Sequence, residues 1–208
     1  MESIQPILQA TGKAANAVRK LSLEDKKAIL IRLAALLNEK QEIIIQENKK
    51  DLDKMEDTDQ KKDRLLLNES RINDLANSLH DILKLEDPAG KVLIDNHSVN
   101  GLHIQKITVP IGVVGVIYEA RPNVTIDVAA LCLYAGNAVV LRGGSDAEFT
   151  NQILVDVIHQ VLREFKVDEN VVQLLPVDRR FVKDLLEAVK YVDIIIPRGS
   201  QQLIDFVR

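Results

Sequence analysis

From residue 111 onward, apolar runs alternate with stretches of helical periodicity. The first run, "IGVVGVIY", is apolar nearly throughout, which is typical of a strand that is covered on both faces. Strands that alternate with helices at these lengths predict βαβ crossovers and a parallel sheet. The predicted units are "IGVVGVIY" with "NVTIDVAALCLYA", "AVVLR" with "SDAEFTNQILVDVIHQVLREF", "VVQLL" with "DRRFVKDLLEAV", and "VDIIIP" with "SQQLIDFVR".

The chain before this region has a different pattern, because residues 3 to about 85 carry apolar side chains at helical spacing. The segment "SLEDKKAILIRLAALLNEK" has a strong apolar stripe, and Ser22 followed by Asp25 predicts a capped helix start. A later helix, "SRINDLANSLHDILKL", is predicted to be capped by Ser70. We therefore expect a helical N-terminal region.

Two short apolar segments, "KVLID" and "LHIQKITV", surround "NHSVNG", in which Asn100-Gly101 is a hairpin turn signal. An isolated hairpin is marginally stable in water, so we expect it to pack against the domain or against a neighbouring subunit. The predicted fold class is α/β: a Rossmann-like parallel sheet with flanking helices, preceded by a helical region and a β-hairpin arm. The predicted boundaries are 1–90 for the helical part, 91–110 for the hairpin and 111–208 for the sheet core.

Composition narrows the classes of partner. The 208 residues include 27 Lys and Arg against 31 Asp and Glu, a net charge of −4, which gives no nucleic-acid footprint. The mixed-sign stretch 46–64 predicts a solvated helical face and loop. No apolar run approaches the roughly 20 residues of a membrane helix, no signal peptide is visible, and a single cysteine fits a reducing cytosol. We expect a cytoplasmic protein without nucleic-acid or membrane partners.

Right-handed crossovers would bring the four strand-to-helix loops to one edge of the sheet, where α/β proteins bind ligands. Helix starts there favour anions. Gly143-Gly144 before Ser145, and Gly199 before Ser200, would let a backbone approach a phosphate. The alternative is tight turn geometry, which a glycine at such a turn serves in most α/β proteins. The sequence lacks both G-x-G-x-x-G and G-x-x-x-x-G-K-[ST], which disfavours a standard dinucleotide fingerprint and a P-loop.

Other side chains at these strand ends leave two interpretations open. Arg142 and Arg198 each close a predicted strand and could pair with a phosphate or with a neighbouring carboxylate. Asn123 is either a helix N-cap or an amide donor to a developing oxyanion. Cys132 in "AALCLYAG" is interpreted as a buried small hydrophobe rather than a nucleophile. The histidines are scattered and predict no metal centre: His80, His97, His103 and His159.

The motifs "YEARPNVT", "GNAVVLRGG" and "IPRGS" occur in this order, and "NKKDL" lies in the helical half. On these motifs the chain resembles the gamma-glutamyl phosphate reductase family, the proline-biosynthesis branch of the aldehyde dehydrogenase superfamily. The resemblance covers the whole chain, with motifs dense from about residue 109. It implies an NADPH-dependent reduction of L-glutamyl 5-phosphate to L-glutamate 5-semialdehyde with release of phosphate, through a cysteine thioester.

The resemblance also implies roles for individual residues. Arg142 matches the position that holds the adenosine ribose and suits the 2′-phosphate of NADP. Asn123 resembles the asparagine that donates to the oxyanion during catalysis. The implied cofactor-binding set is Arg142, Gly143, Gly144, Ser145, Gly199 and Ser200, and the implied substrate contacts are Glu119 and Arg121.

The family's catalytic cysteine follows "PRGS" in a second domain, and Cys132 does not match it. We therefore expect this chain to be the N-terminal cofactor-binding portion, inactive by itself. The hairpin at 91–110 resembles the family's oligomerisation arm, which implies a homo-oligomer, and glutamate 5-kinase is a further expected partner. Two alternatives stay open: a non-catalytic nucleotide-binding or self-association module, and a fragment of a general aldehyde dehydrogenase. Arg142 in place of the commoner lysine, together with "EARPN", disfavours the latter.

Overall fold

The computed structural model describes residues 3–56, 58–119 and 121–207, so that Ala120 of the "EARP" loop lies outside the described residues. The helices are α1 Gln5–Arg19, α2 Leu23–Glu39, α3 Gln41–Leu52, α4 Lys61–Leu65, α5 Glu69–Ile82, α6 Pro122–Tyr134, α7 Glu148–Glu164, α8 Arg180–Leu186 and α9 Gln201–Val207. The strands are β1 Val92–His97, β2 His103–Ile107, β3 Val113–Tyr118, β4 Ala138–Arg142, β5 Val172–Leu174 and β6 Ile194–Arg198.

Strands β3 to β6 form a four-stranded sheet in the order β5-β4-β3-β6. Every pair is parallel, with Val116 of β3 opposite Leu141 of β4 on one side and Ile196 of β6 on the other. All residues of β3 and β4 are buried, as expected for central strands that are covered on both faces. The predicted α/β fold with a parallel sheet is therefore confirmed.

Helices cover the two faces of the sheet. The helices α6 and α7, which connect β3 to β4 and β4 to β5, pack against each other on one face, and α2 packs against both of them and against α5. On the other face α1 packs across β3, β4 and β5. Its Gln5 and Gln9 donate hydrogen bonds to the hydroxyl of Tyr191, in the segment that leads to β6. The largest buried side chains fill the space between these layers and form a single core.

The strand order contains a topological switch point at β3. The chain steps from β3 to β4 and β5 in one direction and then returns to place β6 on the opposite side of β3. The segments that follow β3 and β6 therefore leave adjacent strands in different directions. Open α/β sheets bind ligands in the crevice that such a divergence creates at the carboxyl ends of the strands.

Two predicted helix starts had different outcomes. The Ser22 side chain accepts from the Asp25 amide at 3.1 Å, and Asp25 Oδ2 accepts from the Ser22 amide at 3.2 Å, which confirms the capping box. The predicted Ser70 cap is wrong, because Asn68 caps α5 and accepts from the Arg71 amide at 2.9 Å. Asn is as strong an N-cap as Ser. The helix therefore starts at the earlier of the two residues, Asn68, whose side chain binds a free N–H group of the first turn.

The hairpin is present, with His97 opposite His103 and Gly101 in the turn at a φ of +85°. Both strands are exposed along their whole length. Within the described residues the hairpin therefore does not pack against its own domain, and support from a neighbouring subunit stays a prediction. Its apolar side chains Leu93, Ile94 and Ile104 face solvent in the single chain.

Candidate functional site

A cleft of about 660 Å³ lies at the switch point, and we call it the β3/β6 cleft. Tyr118 and Glu119 contribute to it from the end of β3, and Gly199 and Ser200 from the end of β6. Four cationic side chains and two carboxylates line it: Lys61, Arg64, Arg121 and Arg198, and Glu119 and Asp146. The excess of cations gives the cleft a positive potential, which suits an anionic ligand.

Glu119 binds the residue at the start of α9. Its Oε1 accepts from the Ser200 backbone N–H at 3.0 Å and from the Ser200 hydroxyl at 2.7 Å. A Cβ on Gly199 would lie 2.8 Å from Glu119 Cδ, so the glycine makes room for this carboxylate. The Ser200 hydrogen bonds lower the pKa of Glu119. The stabilisation is therefore present above the carboxyl's unfolded pKa and is lost as the pH falls through the lowered one.

A second cleft, of about 410 Å³, lies between α5 and α6, and we call it the α5/α6 cleft. Arg64 and Arg121 line both clefts and form the wall between them. Asn123 lines only this second cleft of the two, together with Asp127. Asn123 and Ser200 are thus at the same sheet edge but on opposite sides of an arginine wall.

Asn123 is not the N-cap of its helix. Arg121 is the N-cap, without a side-chain cap bond, and Pro122 takes the first helical position, which proline prefers. The capping interpretation of Asn123 is therefore wrong. Its Nδ2 donates to Asp127 Oδ2 at 3.4 Å, a long bond. The Ser78 hydroxyl donates a shorter hydrogen bond to Asp127 Oδ1, at 2.9 Å. The Asn123 side-chain amide is therefore only weakly bound to Asp127.

Arg142 closes β4 as predicted, but its side chain is folded into the protein and is only 8% exposed. Nη1 donates to the Gly143 carbonyl at 2.8 Å and Nη2 to the Val177 carbonyl at 2.7 Å. The buried Nε has no partner within the described ranges. Burial, with a smaller contribution from nearby Arg179, lowers the pKa of Arg142. Arg198 instead lines the β3/β6 cleft.

A third cavity, of about 250 Å³, lies beside Arg142 and is lined by both of its carbonyl acceptors, Gly143 and Val177. Asn151 also lines it, and its buried Nδ2 is a second donor that lacks a partner in the described part of the chain. A Cβ on Gly143 would lie 2.3 Å from this nitrogen and 3.1 Å from the Tyr118 ring. The packing of Asn151 and Tyr118 therefore requires a glycine at position 143, and its role in cofactor binding stays a prediction.

Gly144 and Ser145 lead into the start of α7, which is already capped by a carboxylate. Gly144 precedes a short 3₁₀ turn, Ser145–Ala147. Asp51, fully buried in α3, accepts from the Thr150 amide at 2.8 Å, the Thr150 hydroxyl at 2.7 Å and the Phe149 amide at 3.3 Å. The prediction of a solvated stretch at 46–64 is therefore wrong at Asp51, whose charge the first N–H groups of α7 satisfy.

Cys132 is buried in the middle of α6, which confirms its interpretation as a core residue. Burial raises the pKa of its thiol to about 12. A thiol is a nucleophile only as the thiolate. Cys132 is therefore unsuited to act as a nucleophile.

The histidines are not all scattered, and the prediction is wrong for two of them. The hairpin register brings His97 opposite His103, with Asp95 beside them. The spacing of the two histidines about the Asn100-Gly101 turn in "NHSVNGLH" was the signal in the sequence.

No helix within the described ranges is both long and apolar enough to cross a membrane.

The profile of the aldehyde dehydrogenase family matches residues 1–205. The chain belongs to the aldehyde dehydrogenase family. It is 47% identical over 207 residues to the gamma-glutamyl phosphate reductase of Chlorobaculum parvum, a match that covers 100% of this chain and 49% of the relative. It is 49% identical over 180 residues to that of Bacteroides fragilis, covering 86% of this chain and 43% of the relative.

Two solved structures of gamma-glutamyl phosphate reductases have the same fold as this chain. The gamma-glutamyl phosphate reductase of Thermotoga maritima matches with a TM-score of 0.95 at 32% identity, over 100% of this chain and 51% of that one. The Saccharomyces cerevisiae enzyme matches with a TM-score of 0.88 at 31% identity, over 100% of this chain and 54% of that one. The chain thus spans about half the length of the relatives it matches.

Proposed function

We propose that this chain is the NADPH-binding portion of a gamma-glutamyl phosphate reductase, which converts L-glutamyl 5-phosphate to L-glutamate 5-semialdehyde and phosphate. The observation that carries the proposal is the cationic cleft at the switch point, in a chain similar along its whole length to reductases of that name. Positive charge at the carboxyl ends of parallel strands suits the phosphates of a nucleotide.

The residues present fit such a cofactor. Arg198 lines the β3/β6 cleft without an ion pair to any described residue, and the Ser200 N–H and hydroxyl together offer two donors to an anion. Glu119 occupies both donors, so we propose that its exposed carboxylate yields them to the cofactor pyrophosphate. When bound, NADPH supplies the hydride for the reduction.

Two buried donors support a place for the adenosine end of the cofactor. Arg142 Nε and Asn151 Nδ2 have no acceptor among the residues that the structure describes, and buried polar groups without partners cost about 1–3 kcal/mol each. Both belong to the neighbourhood of the 250 Å³ cavity lined by Gly143, Asn151 and Val177. We propose that polar groups of the adenosine phosphate moiety satisfy them, with Gly144 and Ser145 at the edge of this region.

For the substrate we propose the α5/α6 cleft. Arg64 and Arg121 stand between the two clefts, where they can hold the acyl phosphate on one side and meet the cofactor on the other. Asp74 and Asp127 line the cleft and supply carboxylates for the α-ammonium group. The Asn123 amide, tied only by its 3.4 Å bond to Asp127, is available to donate to the developing oxyanion. Glu119 then acts on the cofactor side rather than as a substrate contact.

The organisation of the chain follows from the same proposal. Residues 1–90 and 111–208 form the cofactor domain, and the exposed 91–110 hairpin is the arm through which copies of the full-length protein associate. We also propose a cytoplasmic location, because a chain with one cysteine, which is buried, suits a reducing compartment. Glutamate 5-kinase is the proposed supplier of the acyl phosphate.

The exposed hairpin also favours a second candidate, a self-association module without nucleotide binding. One experiment separates the two. The purified chain is mixed with NADPH while nicotinamide fluorescence is read, and glutamyl 5-phosphate is then added while nicotinamide absorbance is followed. We expect saturable binding without steady oxidation, because Cys132 is buried with its pKa raised to about 12. An unchanged fluorescence would favour the self-association module, and steady oxidation would overturn the assignment of this chain as inactive alone.

A further inference from the structure

One face of the hairpin carries four polar side chains in a two-by-two arrangement. His97 of β1 is directly opposite His103 of β2, and Asp95 is directly opposite Gln105. Alternate residues of a strand point to the same face, so all four share a face. Opposite residues in an antiparallel pair have Cβ atoms about 4.5–5.5 Å apart, close enough for two imidazoles and a carboxylate to converge.

The distances show that these groups do converge. One ligand atom from each of Asp95, His97 and His103 can be chosen so that all three lie within 4.8 Å of one another. His103 Nε2 is 2.6 Å from Asp95 Oδ1, and the two imidazole rings stack with centroids 4.2 Å apart. Gln105 Nε2 donates to the other carboxylate oxygen, Oδ2, at 2.7 Å. The carboxylate is thus oriented by an outer partner, as metal-binding carboxylates usually are.

We propose that Asp95, His97 and His103 form a binding site for a divalent cation of the zinc class on this face of the hairpin. Two imidazoles and one carboxylate are ligands that Zn²⁺ accepts in tetrahedral sites, at about 2.0–2.2 Å from each donor atom. The present spacing requires small side-chain rotations that bring the three donors around one ion, with water in the remaining position. The cation takes the position between His103 Nε2 and Asp95 Oδ1 that their 2.6 Å hydrogen bond occupies in its absence.

Cation binding at this site would stabilise the hairpin. Its strands are exposed, and an isolated hairpin is marginally stable in water. A cation held by His97 and Asp95 of β1 and by His103 of β2 links the strands next to the turn. Because the unfolded hairpin lacks a preformed site, the binding free energy stabilises the paired register. This function is independent of the nucleotide cleft.

The test is a calorimetric titration of the untagged chain with Zn²⁺ alone at neutral pH. We expect one Zn²⁺ per chain in the wild type. His97→Gln and His103→Gln should each weaken the affinity at least about tenfold, since even outer-shell changes cost 10–100-fold. His80→Gln removes an exposed histidine at the end of α5 and is the matched control, for which we expect unchanged affinity.

The side chains of His80, His97, His103 and Gln105 are all exposed, so we expect each variant to fold. Circular dichroism melts of the variants check this. The Gln105→Leu variant keeps the three ligands and removes only the outer partner, so it should weaken Zn²⁺ binding less than either histidine variant. Absence of Zn²⁺ binding to the wild type would overturn the proposal. It would also be overturned by equal binding to the wild type and to a His97→Gln/His103→Gln double variant.

Discussion

Replacing Asp51 by alanine is expected to lower the free energy of unfolding by about 3 kcal/mol, because groups that lose a buried charged acceptor each cost about 1–3 kcal/mol. The Asp51 side chain is fully buried and accepts from two backbone N–H groups and one hydroxyl at the start of α7. Water cannot replace it without opening the packing between α3 and α7. Urea denaturation followed by circular dichroism measures the difference.

Asp53→Ala is the matched control for this prediction. Asp53 is exposed at the C-cap of α3, two residues from Asp51, and its removal makes the same change in net charge. We expect its effect to stay within about 0.5 kcal/mol, as is usual for surface substitutions. Equal effects of the two substitutions would mean that Asp51 acts through overall charge and not through the α7 cap.

Replacing Arg198 by alanine is expected to weaken NADPH binding by about tenfold to a hundredfold, because hydrogen bonds to charged groups are worth about 1.5–3 kcal/mol. Arg198 ends β6 at the switch point and lines the β3/β6 cleft beside Ser200. Folding should be little affected, since the side chain is exposed. Titration of each variant with NADPH, followed by nicotinamide fluorescence, gives the ratio of dissociation constants.

Two further variants make this prediction specific. Lys190→Ala removes a cation beside the Tyr191 ring, outside the lining of the β3/β6 cleft, and should leave the affinity unchanged. Glu119→Gln removes the negative charge that binds Ser200, and should tighten binding severalfold, since one exposed charge contributes on the order of 1 kcal/mol. If Lys190→Ala and Arg198→Ala weakened binding equally, long-range charge rather than the cleft would explain the affinity.

The sequence predicted the sheet because its signals are local. "IGVVGVIY" and "AVVLR" are apolar on both sides of the strand, as is typical of parallel strands that helices cover on two faces. The parallel arrangement then places Arg142, Arg198 and Ser200 at one edge by geometry alone. The position of the candidate site therefore followed from the fold class and the lengths of the elements.

Several side-chain contacts, at that edge and elsewhere in the chain, depend on tertiary structure. Arg142 turns inward because the Gly143 and Val177 carbonyls accept from it, and Val177 is distant in sequence. Asp51 is buried because α7 lies against α3. His97 and His103 meet because the hairpin register pairs them. For Arg142 and Asp51 the deciding partner belongs to a distant element that no local pattern in the sequence specifies, whereas the spacing of His97 and His103 about the Asn100-Gly101 turn did indicate their pairing.

The most direct test of a nucleotide site at the switch point is hydrogen–deuterium exchange of the chain with and without NADPH. We expect slower exchange in residues 119–126, after β3, and in residues 198–204, after β6, because the cofactor would bind the N–H groups at these two segments. Exchange in the hairpin, 92–107, should not change. Protection confined to the hairpin, or no protection at saturating NADPH, would contradict a cofactor site between β3 and β6.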